Sequence, residues 1–235
     1  MDKKRKAFIG INLFIFTTMV AAVVSTLIFG SRAARLDGSV AAGASQLIDG
    51  TFAGVKIEYW HHVVSFTILS NIFLGIIALI AAIIAIQNPK KDVSKTLSTW
   101  YLIATSSGML TFLTVIIFLA PMRAISGKNY FDMVLEQMFF LHFLNPVLAA
   151  INYVFFMNKE KINLKPRLLA LLPPIIYASP YILCVCIIKC WPDFYGLTFG
   201  GQYYIVPIVF IIVCAFMFGI SSALAELHNH FSKSK

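Results

Sequence analysis

The chain has 235 residues, 59% hydrophobic and only 12% charged, about half the charge of an ordinary soluble domain. A soluble core of this size has no room for so much apolar surface, so lipid must cover part of it and a water-soluble fold is excluded. The net charge of +9 invites a nucleic-acid reading, but the basic residues alternate with the loops between apolar runs, which points to membrane headgroups and no nucleic-acid partner.

Apolar runs fall near 7–29, 63–86, 99–120, 133–157, 168–188 and 203–224, each meeting the roughly 20 residues that span a hydrocarbon core. Backbone groups in lipid must be satisfied within the segment, and runs this long are not barrel strands of about ten alternating residues. The expectation is an all-α, polytopic membrane protein: a six-transmembrane-helix bundle forming a single domain over 1–235. The first run follows Lys3, Lys4, Arg5 and Lys6, as a secretory signal would, yet it exceeds the usual signal core of about 7–15 residues and is expected to stay as the first helix. From Gly30 to Trp60 small residues alternate with isolated charges, a stretch too polar to span, which reads as a mobile loop or a lid on the membrane surface.

In the second run Thr67, Ser70 and Asn71 stand at i, i+3 and i+4, one face of a helix. Polar groups in lipid are expensive, so that face must look inward, as helix–helix glue or as a site. The fourth run carries His142, Asn145, Ala149 and Asn152 along one stripe. Pro146 has no N–H for the carbonyl of His142, so a kink or water is expected at the histidine. A mid-span histidine titrates near neutral pH, which favours function over structure more than a serine or asparagine does. Counted from Trp60 and Tyr130 at 1.5 Å per residue, Thr67 lies about 10 Å deep and His142 about 18 Å, a gap that tilt and the kink would absorb.

Cys184, Cys186, Cys190 and Cys214 have no paired C-x-x-C spacing and read as buried small hydrophobes. Asp193 and Glu136 read as solvated boundary carboxylates. His61, His62 and the aromatic belt of Trp60, Trp100, Trp191, Tyr203 and Tyr204 belong at headgroup level. His228 and His230 are too few for a metal site. No metal and no cofactor is implied. Thirteen basic residues lie in the N-terminus, the second–third and fourth–fifth loops and the tail, against six in the other loops, so both termini are expected in the cytoplasm.

A hydroxyl beside an imidazole in a water-poor bundle is the minimum for nucleophilic catalysis, with Ser70, Asn71 or Asn145 as substrate or oxyanion donors. The run Phe66-Thr67-Ile68-Leu69-Ser70-Asn71, with Leu141-His142-Phe143, Pro146 and Asn152-Tyr153, resembles the androgen-induced-gene family of six-helix membrane threonine hydrolases. The order of helices matches over nearly the whole chain. The Gly30–Trp60 stretch and the loop from Trp191 to Gly196 look closer to the family's uncharacterised bacterial relatives, which implies the plasma membrane of a bacterium. The resemblance further implies an intramembrane lipid-ester hydrolase, a carboxylic-ester hydrolase acting on a fatty-acyl ester among the membrane lipids, with Thr67 as nucleophile and His142 as base. The rival expectations are a small-solute transporter or a lipid-binding membrane protein without catalysis. Against transport stand the lack of paired mid-span carboxylates and of inverted halves.

Overall fold

The computed structural model describes residues 1–32, 50–52, 55–57, 64–89, 93–157, 161–189, 193, 195, 197–198 and 201–233. Six helices among them are long and apolar enough to cross a membrane: α1 (Lys3–Phe29), α2 (Phe66–Gln87), α3 (Lys95–Ile125), α4 (Gln137–Phe156), α5 (Leu164–Ile187) and α6 (Tyr203–Ser232). The protein is a multi-pass, all-α membrane bundle. Large aliphatic side chains stand exposed around it, among them Ile176, Ile187 and Ile211 at 66%, 68% and 70%, an apolar girdle that water would not tolerate and lipid would. An even number of crossings puts both termini on one face, called here the terminal face, and the other is the far face.

Local chemistry sets the helix ends. Asp2, Ser65 and Ser94 cap α1, α2 and α3, accepting from the N–H groups of Arg5, Ile68 and Leu97 at 2.7, 3.3 and 3.2 Å, which satisfies donors the helix cannot. Gly30 stops α1 at φ 69°, a conformation that favours glycine, with its N–H on Thr26 O. The Arg5 guanidinium reaches Asn88 O at 3.0 Å, placing a cation at the negative end of α2.

In the core, α1 packs on α2 and α4, and α3 packs on α2, α4 and α6. Ala78, Ala81, Ala82 and Ala85 of α2 are fully buried, and such small side chains let helices approach closely where hydrophobic attraction gives no drive. Towards the terminal face a separate polar chain runs from Asn12 Oδ1 through the Tyr101 hydroxyl (2.8 Å) to Asn152 Nδ2 (3.0 Å). Asn152 therefore joins α4 to α3 and α1 and is not at the level of His142.

Boundaries depart from the hydropathy runs in two informative places. α6 continues past 224 because the polar residues beyond face protein: Asn229 binds both the N–H and the C=O of Ile162 at 2.8 and 3.1 Å, and the buried His228 meets Tyr153 O at 3.1 Å. α4 begins at Gln137, not near 133. Tyr130–Met133 form a 3-10 turn, and Glu136 turns the chain at φ 58°. Three helices also hold π-helical stretches, at Val115–Leu119, Phe140–Leu144 and Ile182–Ile187. The first two end two residues before Pro121 and Pro146, so a widened turn accommodates the N–H that proline lacks. Trp60, His61, His62, Cys190 and Trp191 lie outside the described residues, as does most of the 30–60 stretch; within it Gly50–Phe52 pairs antiparallel with Val55–Ile57.

Candidate functional site

A cavity of about 100 Å³ opens towards the far-face half of the bundle, between the first turn of α2, the second half of α3, the middle of α5 and the start of α6. Thr67 is on its wall, one residue inside α2. Leu110, Phe118, Pro174, Phe210 and Val213 make most of the rest apolar. Polar atoms come from Thr67, Thr111, Thr114 and three tyrosines, Tyr177, Tyr181 and Tyr195. The Thr67 hydroxyl has no hydrogen bond to any described residue. It sits by the N-terminus of α2, whose positive end favours a developing alkoxide.

Among the described residues after α5, Tyr195 and Leu197 roof the cavity. Asp193 accepts from Leu197 N–H (2.9 Å), Thr198 N–H (2.7 Å), the Thr198 hydroxyl (2.7 Å) and the Tyr181 hydroxyl. Burial opposes ionisation of Asp193, but these donors hold its carboxyl below the ordinary range. Reading Asp193 as a solvated boundary residue was therefore wrong; it is a loop-organising group because its own chain folds back on it. Tyr195 in turn lays its hydroxyl on Phe66 N–H at 2.8 Å, locking the roof to the turn that carries Thr67. Burial raises the Tyr195 phenol above its ordinary value.

Beside the cavity wall stands the second predicted cluster. Asn71 Nδ2 donates to Thr67 O at 2.9 Å and to Leu141 O at 3.0 Å, so a single amide joins the Thr67 turn to the residue before His142. Its Oδ1 is buried without a partner. The expected depth gap narrows only slightly: His142 is five residues from Gln137, about 8 Å at 1.5 Å per residue, while Thr67 is one residue into α2, about 1.5 Å. His142 Nδ1 lies 2.6 Å from Met133 O. A carbonyl only accepts, so Nδ1 carries the proton and the neutral ring keeps its Nε2 lone pair, which meets no described hydrogen-bond partner.

The expected residues are thus partly gathered. Thr67 is on the cavity, and Asn71 links it to the His142 turn, but His142 is not on the cavity wall and makes no hydrogen bond to Thr67. Ser70 is bonded to the Thr111 hydroxyl at 3.1 Å and faces α3. Asn145 takes the Thr18 hydroxyl at 2.7 Å, facing α1, and its Nδ2 is buried and unpaired. Glu136 pairs with Arg32 at 3.4 Å instead of orienting the imidazole. Asp132 bridges Arg32 (2.9 Å) and Arg123 (3.2 Å); the Arg32 bond, more than any other contact, holds its carboxyl below the ordinary range. That ion lattice pins the turn whose next residue, Met133, fixes the imidazole. Cys184, Cys186 and Cys214 are half-buried, not fully buried as expected.

Sequence reasoning missed the tyrosines. Tyr177 and Tyr181, at i and i+4 in an otherwise apolar run, were a signal of one polar face; Tyr195 gave none, since only folding brings it to Phe66. Among the described residues no group of three or more potential metal ligands occurs. No protein-family model, curated protein or solved structure matches the chain, and none supports the likeness to the androgen-induced-gene family.

Proposed function

We propose that the protein is an intramembrane lipid-ester hydrolase in which Thr67 is the nucleophile and His142 the base. One observation carries the reading: the unbonded Thr67 hydroxyl stands on the wall of an almost wholly apolar cavity, at a helix N-terminus. In the reaction Thr67 Oγ1 attacks the ester carbonyl carbon while its proton passes to His142 Nε2, directly or through one water. The proton then leaves with the alcohol, giving an acyl-threonine, and water, deprotonated by the same nitrogen, releases the fatty acid and restores the hydroxyl. Met133 O keeps Nε2 the basic nitrogen throughout. The excess of basic residues on the terminal face supports cytoplasmic termini in a plasma membrane, with the cavity in the outer leaflet.

A second reading, a lipid-binding protein without chemistry, is favoured by the absence of His142 from the cavity wall. Turnover separates the two. Purified Thr67→Ala and His142→Ala should each lose most hydrolysis of a fatty-acyl ester, and the double variant should be little worse than either, because members of one unit are not additive. Thr67→Ser should retain some. Parental turnover by folded Thr67→Ala sinks Thr67 as nucleophile, and no turnover by the folded parent leaves the binding reading standing.

A further inference from the structure

The sequence offers amides as donors to the substrate carbonyl, but the structure leaves them poorly suited. Asn71 Nδ2 is already shared between two carbonyls, its spare atom is an acceptor, and neither Asn71 nor Asn145 lines the cavity. The tyrosines do. Of their hydroxyls, that of Tyr181 is given to Asp193 and the oxygen of Tyr195 takes the Phe66 N–H. The Tyr177 hydroxyl is buried beside the Phe66 N–H and the Tyr195 hydroxyl but makes no hydrogen bond of ordinary geometry to a described residue. A buried donor left unmade inside a membrane is unfavourable, and such an exception calls for a ligand or a function. The Tyr177 ring packs edge-on to Phe66, centroids 5.4 Å apart, next to Thr67.

The cavity is also polarised along the membrane normal. Its tyrosines and Thr67 cluster towards the far face, while Leu110, Pro174 and Val213 lie deeper in their helices, where the Thr111 hydroxyl is already bonded to Ser70. Thr67 is one residue inside a 22-residue helix, near the depth at which a lipid's ester groups meet its hydrocarbon tails. The ester end of a single-chain lipid suits that arrangement, carbonyl at the tyrosines, with the tail running out of the cavity of about 100 Å³ towards the bilayer centre. We infer that Tyr177 donates the hydrogen bond to the carbonyl oxygen of a monoacyl ester lipid held in the Thr67 cavity, an inference that rests on the proposed function for its substrate.

Binding tests this without turnover. In full-length Thr67→Ala protein, purified in detergent, labelled monopalmitoylglycerol and its ether analogue hexadecylglycerol, which lacks the carbonyl, are compared by scintillation proximity. The ester should bind about tenfold more tightly, the effect of one hydrogen bond to a buried donor. Adding Tyr177→Phe should erase that preference and leave ether binding unchanged, which also reports an intact fold. The inference is overturned if the preference survives Tyr177→Phe, if both lipids weaken equally, or if neither binds. A preference that depends on Tyr177 in a protein that hydrolyses nothing sinks the hydrolase reading alone, whereas full turnover in Tyr177→Phe sinks this inference alone.

Discussion

Asp193 shows how one side chain organises the residues over the cavity. Burial disfavours its charge, yet two N–H donors and two hydroxyls, from Leu197, Thr198 and Tyr181, keep it ionised below the usual carboxylate range. The sign of the pH effect follows from that depression. A carboxyl with a folded-state value below its unfolded one, near 4, contributes stability that is complete above about pH 4 and is lost as pH falls through the folded value. Asp132, depressed by Arg32 and Arg123, acts in the same direction. The heat-unfolding midpoint in detergent should therefore drop as pH is taken from about 5 to about 3. Asp193→Asn should start lower at neutral pH and drop less; an unchanged midpoint and slope would show that the roof does not depend on this charge.

Within α4 the π-helical stretch Phe140–Leu144 contains His142 and ends just before Pro146. One extra residue in a turn rotates everything before it by about 100°, so the bulge aims the imidazole at Met133 as much as the loop does. Pro146→Ala restores the missing N–H and allows a regular helix, removing an interruption that normally weakens a span. The variant should unfold no more readily than the parent yet lose most hydrolysis, and the imidazole nitrogen shifts in NMR should show the Nδ1–H form give way to a mixture. Parental activity together with an unchanged tautomer would separate the bulge from the chemistry. The kink at His142 was legible from Pro146 alone. Its form was not, because whether a lost donor yields a bend, a water or a widened turn depends on the neighbours that pack there, here α1 and α3.

Across the whole molecule, six spans were legible because a long apolar window is required of any helix in lipid and little else in a chain imitates it. The true start of α4 was not. Residues 133–136 are apolar enough to extend the run, and only the left-handed Glu136 and the Arg32–Asp132 contact, made across a hundred residues, reveal the turn. The cavity was hidden for the same reason, since Thr67, Tyr177 and Tyr195 meet through α2, α5 and a loop that are distant in sequence. The orientation rests on basic residues: cysteine at Asn88 should be sheltered from an impermeant thiol reagent in intact cells and cysteine at Ser126 should react, and the reverse would move the cavity to the inner leaflet. The central claim, that Thr67 is a nucleophile, is met most directly by treating the purified protein with a fluorophosphonate and mapping the adduct by mass spectrometry. The account predicts one covalent adduct on Thr67, strongly reduced in His142→Ala and absent from Thr67→Ala; a folded protein that carries no adduct on Thr67 would contradict it.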